Sequence, residues 1–176
     1  VEAVVVLLAL VALAALVVTW SAARLDHLHT RLERMDATVE AELLRRSIAT
    51  LEVATSGLLD PASSMVLADA AHRARVATAE DREEAESALT EALVAAFDDP
   101  VSISSEMVPD WGHDLVADLG ASCRRVRTAR RLHNGTVTVT RNRRRSRFVR
   151  AFHLAGRAPM PEHIEFDDRI PAAFRR

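Results

Sequence analysis

Hydrophobic and polar positions divide this chain into stretches of different period, and the first stretch has no period at all. From Ala3 to Val18 every residue is apolar, and Thr19 and Trp20 close the run. A helix rising about 1.5 Å per residue would carry this run roughly 24 to 27 Å, near the lower limit for crossing the hydrocarbon core, which predicts a transmembrane helix. Val4, Val5, Leu7, Leu8, Leu10, Leu13, Leu16 and Val17 form the expected anchor. Trp20 falls at headgroup level and Arg24 one turn beyond, where a guanidinium reaches water. A cleaved signal peptide is the competing reading, because Ser21, Ala22 and Ala23 would suit a peptidase. The Val1-Glu2 start and the length of the run count against it.

A helical period follows. Leu25, Leu28, Leu32, Met35 and Val39 recur at spacings of 3, 4, 3 and 4 with Arg, Glu and Asp between them, the signature of an apolar stripe on one helix face and a candidate interaction surface. Neither Gly nor Pro occurs before Gly57. One helix is therefore expected from residue 3 to about 55, roughly 80 Å long, with its stripe continuing through Leu43, Leu44, Ile48 and Leu51. Ser56-Gly57 and then Asp60-Pro61 mark a break followed by a capped restart. A second helix is predicted from Pro61 to about Phe97, with Met65, Ala68, Ala71, Leu89, Leu93 and Phe97 on its apolar face. The acidic block EDREEAE, Glu80 to Glu86, reads as a solvated helix face. Asp110 caps a third helix carrying Trp111, Leu115, Leu119, Cys123 and Val126.

GTVTVT, residues 135–140, alternates as a strand would. Helix is nevertheless expected there, since a solitary strand would lack a partner and the helical period through Val126, Ala129, His133 and Val137 resumes at Phe148 and Phe152. Gly156 stops that helix, and Pro159, Pro161 and Pro171 make the rest an extended tail docked by Ile164, Phe166 and Phe174. The expected fold is all-α: a transmembrane anchor (1–23), a cytoplasmic antiparallel bundle of three to four long helices (24–157) and a Pro-containing tail (158–176). Composition agrees, with 49% hydrophobic residues, 4% aromatic, no Tyr and five Gly.

Charge changes the picture twice. Arg24, Arg31, Arg34, Arg45 and Arg46 follow the anchor, which places the bundle in the cytoplasm and the N-terminus outside a plasma membrane. The net charge of −2 also conceals a segregation: residues 24–99 carry 8 Arg against 16 acids, whereas residues 120–157 carry 12 Arg and no acid. Arg141, Arg143, Arg144, Arg145, Arg147 and Arg150 form a basic patch whose partner is either the chain's own acidic helices, anionic lipid or an acidic protein. Nucleic acid is not expected, for want of interleaved aromatics or a groove-reading module.

Candidate chemistry is sparse. His27 and His29 point about 200° apart on a helix and cannot share a metal. No C-x-x-C, H-E-x-x-H, G-x-S-x-G or phosphate-binding glycine motif occurs. Cys123 is alone, so it makes no internal disulfide; Arg124 and Arg125 beside it would lower its thiol pKa, but its pairing with His133 would need another helix face. Asp167 and Asp168 are expected to pair with Arg169 or a neighbouring helix. Neither catalytic residues, a metal, a cofactor nor a small-molecule substrate is expected.

Two stretches carry a resemblance. RLDHLHTRLERMDATVEAELLRRSIATLEVA after a membrane helix, and ARRLHNGTV at residues 129–137, look like the LemA family, in a divergent actinobacterial form. Arg45 and Arg46 match a basic pair ending the family's first segment, Ala129 and Arg130 a later Ala-Arg pair, and Asn134 an asparagine. His133 stands where the family usually has Tyr, and Thr140-Arg141 replaces its second aromatic-asparagine pair. The resemblance implies a membrane-anchored antiparallel bundle without a secure activity. A similar small single-pass protein accompanies the actinobacterial respiratory supercomplex of cytochrome bc and cytochrome oxidase. The expected function is thus that of a non-catalytic accessory or scaffolding subunit, with lipid and an integral membrane complex, respiratory cytochrome subunits among the candidates, as partners. The alternative is a membrane-surface adaptor using its Arg-rich helix.

Overall fold

The computed structural model describes residues 1–99, 108–146 and 159–175, apart from the side chains of Ala14, Ala22 and Leu25. Its elements are helices throughout: α1 (Glu2–Thr55), α2 (Pro61–Val76), α3 (Arg82–Phe97) and α4 (His113–Arg144), with short 3-10 turns at Asp110–Gly112 and Ala172–Phe174. No strand occurs among the described residues.

Helix α1 runs unbroken as its lack of Gly and Pro requires. It ends where Gly57 takes φ +82°, a conformation that costs a residue without Cβ little. Asp60 then caps α2, its Oδ1 accepting from the amides of Ala62 (2.9 Å) and Ser63 (3.1 Å), with Pro61 in the first turn. The expected single helix from Pro61 to Phe97 is two helices. Ala77 leaves helical geometry at ψ 137°, and Thr78 Oγ1 donates to Asp81 Oδ2 at 2.7 Å just before α3 begins. Residues 135–140 are helical. The hydroxyls of Thr136, Thr138 and Thr140 each donate to the carbonyl four residues back, at 2.8 to 2.9 Å, giving these β-branched residues an intrahelical use. The expected continuation through Phe148 and Phe152 and the stop at Gly156 lie outside the described residues.

The chain forms two compact units, residues 1–36 with 132–163 and residues 37–131 with 164–176. The second unit holds the main core. Ala49, Val53 and Ala54 of α1, Leu67, Ala70 and Ala71 of α2, Leu89, Leu93 and Phe97 of α3, Leu119 and Cys123 of α4, and Ile170 and Phe174 of the tail are buried together. Phe97 and Phe174 meet with ring centroids 5.1 Å apart. Gly120 admits the Phe174 ring, since a Cβ there would come within 3.1 Å of it. A smaller cluster joins Val39, Leu43, Val126, Ala129 and Phe166.

Among the described residues of the first unit, Ser21, Leu32, His133, Thr136, Val137 and Thr140 are buried. His133 Nε2 lies 2.7 Å from Asp36 Oδ1, and its Nδ1 lies 3.0 Å from Asn134 Oδ1. Thr138 Oγ1 is 3.0 Å from His163 Nε2, and Arg144 donates to the Pro159 carbonyl at 2.5 Å.

Candidate functional site

The N-terminal part of α1 carries its apolar residues on every side. Val4, Val5, Leu7, Leu8, Leu10, Leu13, Leu16, Val17 and Trp20 are all exposed, Leu8 at 63% and Leu16 at 68%. This helix is long and apolar enough to cross a membrane, and none of its most apolar window is buried in the core. A contiguous apolar surface of that kind marks a contact with lipid or protein. At its end the Arg24 guanidinium stands 5.4 Å over the Trp20 ring, a cation–π contact at the polar boundary of the run. Thr19 satisfies its hydroxyl on the Ala15 carbonyl at 2.8 Å, so this hydroxyl does not need water.

The stripe that follows is used differently from the sequence expectation. Leu32 and Val39 are buried within the chain, and Leu28 and Met35 are partly buried, which removes most of the stripe from any outward docking face. The side chain of Leu25 lies outside the described residues. Further along α1, Leu44 and Ile48 are exposed where the stripe was expected to continue. The buried line runs instead through Val39, Leu43, Arg46, Thr50 and Val53, at spacings of 4, 3, 4 and 3. Two other apolar positions are corrected: Met65 is 74% exposed, about 200° around α2 from buried Leu67, and Trp111 is exposed on the turn before α4.

Arg46 occupies its core position at 2% exposure with both terminal nitrogens partnered, while its buried Nε has no hydrogen-bond partner. Its Nη2 forms an ion pair with Glu86 of α3 and also donates to the Glu86 carbonyl, while Nη1 donates to Thr90 Oγ1 at 3.0 Å. Thr90 in turn donates to the Asp167 carbonyl of the tail at 2.7 Å. The Phe166 ring receives two cations, with Arg46 Cζ 5.9 Å and Arg130 Cζ 5.5 Å from its centroid. Arg130 holds Asp168 Oδ2 through Nε and Nη2 at 2.9 and 2.8 Å. Burial pushes the Glu86 carboxyl above the ordinary carboxylate range, against the downward pull of the Arg46 and Arg82 guanidiniums. Glu86 was expected on a solvated acidic face. The correction follows from its place on the α3 line of Glu86, Leu89, Leu93 and Phe97, which faces the core.

The tail is laid on α3 by its own amides. Glu165 N–H donates to Glu83 Oε1 (2.8 Å), Asp167 N–H to Ser87 Oγ (3.1 Å) and Ala172 N–H to Asp98 Oδ1 (3.2 Å). From α4, Arg124 donates to the Phe174 carbonyl at 2.9 Å. Asp167 also pairs with Arg169. Beside this network a cleft of about 330 Å³ is lined by Glu40, Leu43, Ser47, Arg75, Arg82 and Glu86. Arg82 crosses part of it to Glu40 at 3.0 Å.

Cys123 is buried, and that burial raises its thiol pKa; the lowering expected from neighbouring arginines is the smaller effect. His27 and His29 are exposed on α1, and His29 lies 3.4 Å from Glu33. Among the described residues no three of His, Cys, Asp and Glu converge as a metal site would require. Of the basic patch, Arg141, Arg143, Arg144 and Arg145 lie at the end of α4 and in the turn after it, whereas Arg147 and Arg150 are outside the described residues. No family model matches the chain, and no curated protein and no solved structure matches it either.

Proposed function

We propose that this protein is a non-catalytic, single-pass membrane protein that serves as an accessory or scaffolding subunit of a larger integral membrane complex. The observation that carries the reading is the uncovered apolar surface of α1 between Val4 and Trp20. Part of such a surface faces lipid, and part is free to pack against another membrane helix, where association depends on close van der Waals fit. In this reading residues 1–23 are the anchor, residues 24–157 an antiparallel bundle and residues 158–176 the tail. Support for the antiparallel arrangement comes from two contacts that step in opposite directions along the helices: Glu42 with Arg125, and Asp36 with His133. The arginines at positions 24, 31, 34, 45 and 46 favour a cytoplasmic bundle at the plasma membrane. A respiratory assembly of cytochrome subunits is the specific candidate, and it rests on the LemA-like stretches alone.

The mechanism is contact. The anchor supplies buried area to its partner, and the core of the second unit holds its shape through Arg46, Glu86 and the docked tail. The test is purification of tagged full-length protein from gently solubilised membranes, followed by mass spectrometry. Membrane subunits in fixed ratio are expected. Recovery of the chain alone would overturn the reading, and a partner without cytochromes would remove the respiratory candidate only.

A further inference from the structure

The arginines of α4 fall into two groups with different uses. Towards its start, Arg124 holds the Phe174 carbonyl, Arg125 pairs with Glu42 and Asp118, and Arg130 pairs with Asp168. Towards its end, Arg141, Arg143, Arg144 and Arg145 occur in a stretch from Leu132 to Ser146 that contains no acid. Arg144 donates to the Pro159 carbonyl, and no ion pair joins Arg141, Arg143 or Arg145 to a carboxylate among the described residues. Crowding Arg141, Arg143 and Arg145 together without carboxylate partners is unfavourable, so this end of α4 is suited to an anion from outside the chain.

Register identifies the anion. His133 is level with Asp36 through their 2.7 Å contact. Arg145 lies twelve residues beyond His133 and Arg24 twelve residues before Asp36, each about 18 Å along its helix. With α4 returning along α1, Arg145 reaches the height of Arg24 and Trp20, where the apolar run ends. The span from Arg141 to Arg145 is about 6 Å, comparable to the headgroup layer on one side of a bilayer, about 5 to 8 Å. Asp26 is the one acid within a turn of Arg24.

We propose that the end of α4 is a binding site for the phosphates of anionic phospholipids in the leaflet that holds Trp20. Arg141, Arg143 and Arg145, joined by Arg24, donate charge-assisted hydrogen bonds to phosphate oxygens, and the planar guanidinium suits that bidentate contact better than an ammonium would. The proposal rests on the membrane-anchored reading above and adds a lipid class to it. It also explains why the chain keeps Arg141, Arg143 and Arg145, which no carboxylate among the described residues pairs.

The experiment uses the full chain reconstituted in phosphatidylcholine bilayers with trace spin-labelled phosphatidylglycerol or spin-labelled phosphatidylcholine, comparing how strongly each associates with the protein. An arginine near the membrane surface contributes about five-fold in association. Selectivity for phosphatidylglycerol of that order is expected for the natural chain, falling towards one in the triple variant Arg141→Gln, Arg143→Gln, Arg145→Gln. Arg145→Gln alone, past the end of α4, should lose part of it without touching the helix. Arg131→Gln, exposed and about 21 Å back along α4, should change nothing. Unaltered selectivity in the triple variant overturns the proposal, as does its absence in the natural chain. Loss of a co-purifying membrane protein in place of lipid selectivity would assign these arginines to a protein contact and also overturn it. Alkaline carbonate extraction separates the two levels: a chain washed from the membrane defeats the anchored reading, whereas an embedded chain without lipid selectivity defeats this proposal alone.

Discussion

The two compact units spend their apolar residues in opposite directions. Residues 37–131 and 164–176 turn Leu, Val and Phe inward and bury one ion pair among them. Among the described residues of 1–36 and 132–163 most of the large apolar side chains are exposed along α1, while His133, Thr136 and Thr140 are buried. The difference teaches that the packed core and the exposed apolar surface of α1 draw on separate residues. A substitution in one unit should be visible in unfolding measurements, and one in the anchor should be visible in membrane retention.

The largest effect should come from splitting the buried pair. Arg46→Met leaves Glu86 without its counter-charge in the core and should cost about 3 to 5 kcal/mol in denaturant unfolding. Adding Glu86→Met should recover most of that, because two apolar side chains of similar volume replace two charges; a double variant no better than the single would show that the hydrogen bonds, and not the charges, hold this unit. Phe174→Ala should cost about 3 kcal/mol, since it empties a site against Phe97. Neither substitution should release the chain from membranes. Leu10→Arg should do the converse, costing about 3 kcal/mol of membrane insertion while the unfolding of residues 37–131 keeps its midpoint.

Smaller changes sharpen the comparison. Asp36→Ala removes the acceptor of the buried His133 Nε2 and should cost about 1 to 2 kcal/mol in the first unit, read by amide exchange in α4 beyond Leu132. The Asp60 carboxyl titrates below its ordinary value of 3.8, chiefly through hydrogen bonds from Ser63. Its contribution is therefore complete above pH 3.8 and is lost as pH falls through the lowered folded value. Asp60→Asn keeps an N-capping oxygen and should remove this part of the acid sensitivity of α2, a small shift measured by helicity against pH.

Legibility in the sequence followed the locality of each cause. The length of α1 and its end at Gly57 follow from residues within one turn of the break, and so does the cap at Asp60. The break between α2 and α3 has no Gly or Pro to announce it. Its local mark is the bond of Thr78 to Asp81 across the turn, which the surrounding acidic run obscured. Arg46 and Glu86 were hidden by their charge, yet each sits on the apolar line of its own helix. Opposite charges at two such positions are the pattern of a buried pair, although their partnership, 40 residues apart, belongs to tertiary structure. Helix through residues 135–140 was legible from the lack of a partner strand, against local propensity.

The contact of Arg46 with Phe166 joins positions 120 residues apart. Contacts of that separation raise the mean contact order of residues 37–131 and 164–176 and carry the largest loop-closure cost, so they form late. Residues 164–174 should therefore be the last to arrive during refolding and the first to lift off when the native state opens locally. The Glu165, Asp167 and Ala172 amides, held by side chains of α3 and of Asp98 at its end, would exchange through that lifting without waiting for global unfolding.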